Sequence, residues 1–299
     1  EDHPTLLELM QDQPTTFDTV QRNADDACLI IYTSGTTGQP KGAELTHSIM
    51  LMNCSVSVRL FGSTPDDRTL MVLPLFHSFA MSILNIALIS HGTIVLLPRF
   101  EASAVLDLFQ SENITLFAGV PTMYWELLNH DNSEGKIDIG KIAKTLRICC
   151  SGGAALPVEV LRGFEEKYAV QILEGYGLSE TSPIATFNRS DRPRKVGSIG
   201  IPIWGVELKV VDEDMNELPV GEEGEIVIRG HNVMKGYYKR PEANEEAFKG
   251  GWFHTGDVGK MDEDGFYYIV DRVKDMIIRG GFNVYPREIE EVIYQFPGV

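Results

Sequence analysis

The chain is predicted to be an α/β protein, a layered and mostly parallel sheet flanked by helices, followed by a β-rich subdomain. Three observations give that class. Between about residues 27 and 175, short apolar runs alternate with stretches whose apolar residues recur at helical spacing. Such alternation implies a mostly parallel sheet with helices on both faces. After about residue 190 the pattern becomes short strands joined by turn dipeptides such as Asp264-Gly265. Over 299 residues the chain is 43% hydrophobic and 23% charged, ordinary globular usage with apolar side chains enough for a sizeable core.

Taken in order, residues 1–26 are polar, punctuated by Pro4 and Pro14, and read as a connector. The sheet part spans 27–190. Its first strand, Cys28-Leu29-Ile30-Ile31-Tyr32, breaks into the hydroxyl-rich bend Thr33-Ser34-Gly35-Thr36-Thr37-Gly38. Further strands are expected at 69–73, 93–97, 114–117, 146–150 and 170–173. Pro157 suits the first turn of a helix, and Val160, Leu161, Phe164 and Tyr168 then share one face. The β-rich part, 191–271, holds strands at 206–211, 225–229 and 266–270. Residues 272–299 read as a hinge and the start of another domain, with a helix opening at Pro286 and Ile289, Val292, Ile293 and Phe296 on its inner face. There is no internal repeat and no low-complexity segment.

Charge and cysteine usage narrow the function classes. Lys and Arg total 26 against 43 Asp and Glu, a net charge of −17, which argues against a bulk nucleic-acid binder. A polyanionic ligand must therefore be held by local donors. The four cysteines offer no CxxC pair, so neither zinc nor a disulfide framework is expected, and a reducing cytoplasm fits. The apolar stretch 79–89 contains Ser82 and Asn85 and is too short for a bilayer. Glu1-Asp2-His3-Pro4 lacks the features of a signal peptide. Peripheral membrane contact and dimerisation remain open.

Four segments carry chemistry. The first runs from Thr33 through Gly38 to Gln39-Pro40-Lys41-Gly42. Its glycines permit positive φ, so successive N–H groups can form an anion nest, with hydroxyls and the Lys41 cation added. The spacing does not fit a Walker loop. The second is Glu174-Gly175-Tyr176-Gly177-Leu178-Ser179-Glu180-Thr181. It begins like a dinucleotide G-x-G-x-x-G but has Glu180 where the third glycine belongs, and a bare carboxylate there would repel pyrophosphate. With Mg²⁺ between them the same carboxylate becomes attractive. Tyr176 offers a flat face for a base. The third is Trp252-Phe253-His254-Thr255-Gly256-Asp257, in which Asp257 could accept from two vicinal hydroxyls. The fourth is Asp271-Arg272-Val273-Lys274-Asp275. Singly, the last three also read as a strand-turn, a turn residue and a solvated charge run.

Together and in this order, the four segments resemble the adenylate-forming (AMP-binding) superfamily of acyl-CoA synthetases, luciferases and nonribosomal adenylation domains. Within it the chain is most similar to bacterial long-chain fatty-acid–CoA ligases. Phe117-Ala118-Gly119-Val120-Pro121-Thr122-Met123-Tyr124, Asn232-Val233-Met234-Lys235-Gly236-Tyr237-Tyr238 and Gly280-Gly281-Phe282-Asn283-Val284-Tyr285-Pro286 add to the match. The resemblance covers 27–299 and only the middle of the family's length, so the chain is expected to be a fragment.

The resemblance implies two half-reactions. ATP and an acid give acyl-AMP and pyrophosphate; the CoA thiol then displaces AMP. By the same resemblance, Thr33, Ser34, Gly35, Thr36, Thr37, Gly38 and Lys41 would hold the outer phosphates. Glu180 would bind Mg²⁺, and Thr181 would touch the α-phosphate. Tyr176 would stack on adenine beside Gly152, Gly153 and Ala154, within a cofactor-binding segment that includes Glu174, Gly175 and Gly177. Asp257 and Arg272 would hold the ribose. Lys274 matches the hinge of the small domain, and Gly280 and Gly281 the passage for pantetheine. The family's adenylating lysine lies beyond Val299, so nucleotide binding with little turnover is expected of these 299 residues alone.

His77, in Pro74-Leu75-Phe76-His77-Ser78, stands where amino-acid-activating relatives carry an aspartate nearby, and no acid occurs from Leu73 to Ile89. Burying an unpaired ammonium costs several kcal/mol, so amino acids are disfavoured. His77 reads as a wall beside the substrate carboxylate or as a histidine at a helix start. The expected function is fatty-acid–CoA ligation. The alternatives are another adenylating enzyme (an aryl-acid–CoA ligase or fatty-acyl–AMP ligase) and a catalytically dead nucleotide- or acyl-binding protein.

Overall fold

The computed structural model describes residues 5–33, 40–272, 277–279, 282–284 and 292–293. Its strands, in chain order, are β1 (Ala27–Thr33), β2 (Lys41–Thr46), β3 (Arg68–Met71), β4 (Thr93–Leu96), β5 (Leu116–Gly119), β6 (Ile148–Ser151) and β7 (Ile172–Gly177). There follow β8 (Ile184–Phe187), β9 (Ile201–Pro202), β10 (Val206–Val211), β11 (Gly224–Gly230), β12 (Gly236–Tyr237), β13 (Phe253–Met261) and β14 (Tyr267–Arg272).

A seven-stranded sheet in the order β4-β3-β5-β6-β7-β8-β9 forms the centre, parallel from β4 to β7 and antiparallel beyond. Its parallel strands are apolar on both faces because both are covered. Met71, Ala118, Cys150 and Leu173 point into one core, with Phe61 and Phe79 from the covering helices. Their neighbours Leu70, Phe117, Cys149 and Ile172 point into the other, with Phe109, Tyr124 and Phe164. This is the two-residue period of a pleated strand.

The helices follow local sequence chemistry. His47–Phe61 is capped by the Thr46 hydroxyl, which accepts from the Ile49 N–H, and ends at Gly62 in the left-handed region. Val158–Tyr168 follows Pro157 and buries Val160, Leu161, Phe164 and Tyr168, the face the spacing indicated. The remaining described strands form three antiparallel sheets: β10-β11-β13-β14, β1-β2-β12, and a two-stranded pair of β15 (Ile277–Arg279) with β16 (Phe282–Val284).

Some expectations shift. The strand expected at 114–117 is β5, two residues later, and that at 170–173 runs on to Gly177. β1 lies outside the parallel sheet and pairs antiparallel with β2, which carries no long apolar run to announce it. The helix expected from Pro286 falls mostly outside the described residues. Its two described members, Val292 and Ile293, are exposed rather than inward. All four cysteines are free, Cys28 exposed and the others buried. Among the described residues no helix is long and apolar enough to cross a membrane.

Candidate active site

In an open parallel sheet, ligands bind beyond the carboxyl ends of the strands, where the following loops diverge. Here that end opens into a cavity of about 740 Å³. Ser151, Gly152 and Gly153 after β6, and Tyr176, Gly177 and Ser179 at the end of β7, form one wall. Thr33, Lys41 and Tyr237 from the β1-β2-β12 sheet form another, and Thr255, Gly256 and Asp257 from β13 close a third.

The backbone approaches itself tightly at β7. A Cβ on Gly177 would sit 1.7 Å from the Pro183 carbonyl oxygen, so only glycine lets the chain turn there into the short helical turn Ser179–Thr181. That turn presents Glu180, which is buried. Its Oε1 accepts from the Thr33 hydroxyl at 3.2 Å and from the Tyr237 hydroxyl at 2.9 Å. Burial and the adjacent Glu180 charge push the Tyr237 phenol well up, so it remains a donor. The Lys41 ammonium lies 5.1 Å from the Tyr237 ring centroid.

β1 and β2 bring Thr33 and Lys41 opposite each other. The chain thus re-enters as an antiparallel strand at Lys41, where a Walker loop would open a helix. Ser34 to Gln39, with Lys274, Gly280 and Gly281, lie outside the described residues.

The third wall depends on a bulge. On β11 the pairing steps two residues, from Val227 to Glu225, while on β13 it steps four, from His254 to Val258. Thr255, Gly256 and Asp257 are therefore pushed off the ladder with β11. Gly256 takes φ 71°. Its N–H donates to Glu225 Oε1 at 2.9 Å, and Glu225 Oε2 is bonded to His254 Nδ1 at 2.8 Å. Asp257 is buried and accepts from the Tyr176 hydroxyl at 2.5 Å. Its direct neighbour on β14 is Arg272.

Most of the expected residues within the described part come together around this cavity. Thr181 does not reach its wall. It is fully buried, and its hydroxyl accepts from the Leu178 N–H at 2.8 Å and donates to the Pro183 carbonyl at 2.5 Å. The hydroxyl facing the cavity is that of Ser179, 3.5 Å from the Ser78 hydroxyl. Ala154 is exposed beyond Gly153. Glu174 supports from beneath, its Oε2 accepting from the Gly197 N–H. His77 lines the cavity, and its Nδ1 accepts from the Phe79 N–H at 3.2 Å to cap Ser78–Ile89, the histidine at a helix start.

The AMP-binding enzyme family matches residues 2–238. The chain belongs to that family. It is 40% identical over 277 residues to a feruloyl-CoA synthase of Amycolatopsis sp, covering 92% of this chain and 55% of that protein. It is 38% identical over 301 residues to a long-chain-fatty-acid–CoA ligase of Bacillus subtilis, covering 99% and 53%. The O-succinylbenzoate coenzyme A synthetase (MenE) of Bacillus subtilis, solved in complex with ATP and magnesium ion, superposes with a TM-score of 0.87 at 35% identity, covering 98% and 60%. The chain spans about half the length of the curated relatives it matches. These AMP-binding relatives act on different acids, so family membership does not fix the acid.

Three contributors escaped the motif reading. Ser179 had a signal, a hydroxyl directly before the key acid. Tyr237 lay in a motif that carried the resemblance but no assigned role, and Glu225 had no signal, because each acts through pairing between strands far apart in sequence.

Proposed function

We propose that this chain forms the nucleotide-binding part of an ATP-dependent acid–CoA ligase, with a fatty acid as the substrate. The observation that carries the reading is the convergence of Lys41, Glu180, Tyr176 and Asp257 on one cavity. A hydroxyl-and-lysine hairpin and a buried ribose-sized acceptor then stand at its two sides.

The 33–38 bend and Lys41 hold the β- and γ-phosphates of ATP, and Ser179 faces the α-phosphate. Thr181 shapes the turn from beneath. The Tyr176 ring lies along adenine beside Gly152 and Gly153, and Asp257 with Arg272 takes the ribose hydroxyls. The substrate carboxylate attacks the α-phosphorus and pyrophosphate leaves. The CoA thiol, entering past Gly280 and Gly281 after rotation about Lys274, then attacks the acyl carbon and AMP leaves. Both steps build charge on oxygens, which fixed donors stabilise.

Among the described residues no group of three or more His, Cys, Asp or Glu forms a metal cage. Mg²⁺ needs none, since it uses one or two carboxylates plus phosphate oxygens and water. The Glu180 carboxylate, which lines the same cavity as Lys41, fits that requirement. When bound, Mg²⁺ would neutralise developing phosphate charge.

A fatty acid is supported by the apolar stretch of wall formed by Phe79, Ile184 and Phe187 and by the absence of acids from Leu73 to Ile89. An aryl acid is the second reading, favoured by the feruloyl-CoA synthase relative. Pyrophosphate exchange with a panel of fatty, aryl and amino acids, run on the protein joined to the lysine-bearing C-terminal part that the family carries, tests the proposal. Exchange with fatty acids supports it, exchange with aryl acids alone moves the reading to the second acid class, and exchange with amino acids alone refutes it.

A further inference from the structure

The motif Asn232-Val233-Met234-Lys235-Gly236-Tyr237-Tyr238 marks the family but has no part in the reaction described above. In the structure it grips Glu180 from two directions. The Met234 N–H donates to the Glu180 carbonyl at 2.8 Å, while the Tyr237 hydroxyl donates to the Glu180 carboxylate at 2.9 Å. The segment is itself anchored. The Lys235 N–H donates to the Glu44 carbonyl and the Tyr238 N–H to the Gly42 carbonyl, which fastens β12 to β2. Asn244 fixes the Tyr237 backbone, its Oδ1 accepting from the Tyr237 N–H at 2.6 Å and its Nδ2 donating to the Tyr237 carbonyl at 3.2 Å.

Tyr237 pairs with Ala43, two residues from Lys41, so its ring lies on the same face of the sheet as the lysine. One side chain therefore touches both charged groups: a hydroxyl on the carboxylate and a ring beside the ammonium. Without such a spacer, Lys41 and Glu180 could neutralise each other in an ion pair and leave neither free for a ligand.

We propose that Tyr237 is a positioning residue that orients Glu180 toward a divalent cation and holds Lys41 apart from it toward the outer phosphates. The inference rests on the nucleotide-binding reading above and adds how its two charged groups are kept separate and aimed. Partners that hydrogen-bond a metal-binding carboxylate typically change metal affinity or activity by about 10–100-fold when removed.

The test compares Tyr237→Phe, Tyr237→Leu and Glu180→Gln in the protein, measuring ATP affinity by calorimetry across a MgCl₂ series and AMP affinity alongside it. Tyr237→Phe keeps the ring and loses the hydroxyl. It should raise half-saturating Mg²⁺ by about ten-fold and leave AMP affinity within two-fold of the parent. Tyr237→Leu should add a rise in the Kd for ATP at saturating Mg²⁺, and Tyr237→Phe combined with Glu180→Gln should shift no further than Glu180→Gln alone. Preserved AMP affinity in each variant separates this outcome from loss of fold. An unchanged Mg²⁺ curve in Tyr237→Phe, with Glu180→Gln shifted, overturns the role of Tyr237 alone. An unchanged curve in Glu180→Gln overturns the metal-site reading beneath it.

Discussion

The Tyr176 hydroxyl donates to Asp257 Oδ2 at 2.5 Å, a bond between the end of the central parallel sheet and the bulge of the antiparallel sheet. It ties the ring proposed to lie along adenine and the carboxylate proposed to take the ribose hydroxyls into one unit, so that neither drifts without the other. Asp257→Ala should weaken AMP and ATP binding alike, by about 1–3 kcal/mol, the scale of hydrogen bonds to a charged group. Calorimetry with both nucleotides checks this, and an unchanged affinity would remove the ribose role.

Lys41→Ala should behave differently. Lys41 stands on the hairpin side of the cavity, away from Asp257, so its loss should weaken ATP binding at least ten-fold more than AMP binding, about 1.4 kcal/mol of difference. Equal losses for the two nucleotides would contradict its assignment to the outer phosphates.

Gly177→Ala tests the turn that presents Glu180. The added methyl would meet backbone, the Pro183 carbonyl at 1.7 Å and the Ile184 Cα at 3.2 Å, neither of which can swing aside as a side chain could. A loss of about 2 kcal/mol or more in denaturant unfolding is expected, within the range for backbone strain and overpacking. A melt like the parent's would show that the turn has slack.

Much of this was legible in the sequence because local chemistry decided it. The expected strand 206–211 matches β10, whose burial alternates along its length. The helix after Pro157 has the expected face, and residues of the first three motifs line one cavity. What escaped is non-local. β2 reads as an unremarkable Lys-Gly-Ala-Glu-Leu-Thr run, and it becomes a central strand only because β1 and β12 pair with it from both sides. The adjacent hydroxyls Ser179 and Thr181 look interchangeable in a motif. The tight helical turn sends one toward the cavity and buries the other.

Asp67 offers a pH test away from the site. Burial alone would raise its pKa, but bonds from Arg147, the Thr64 N–H and the Thr115 hydroxyl outweigh it and hold the carboxyl below its ordinary range. A depressed folded pKa contributes stability that is present above the unfolded value and is lost as pH falls through the folded one. Asp67→Asn should therefore cost about 2 kcal/mol near neutrality. That is less than the 3–5 typical of a fully buried pair, because the Arg147 side chain is 36% exposed. The gap between variant and parent should narrow as pH drops below about 4. A gap independent of pH, in urea unfolding at several pH values, would contradict the ionic account.

The central claim is that one cavity grips a nucleotide between the β1–β2 hairpin and the β13 bulge. A crystal structure of the protein with ATP and Mg²⁺ tests it most directly. The account predicts the triphosphate against Thr33 and Lys41, the metal at Glu180 and the ribose hydroxyls at Asp257. A nucleotide bound elsewhere, with that cavity empty, would contradict it.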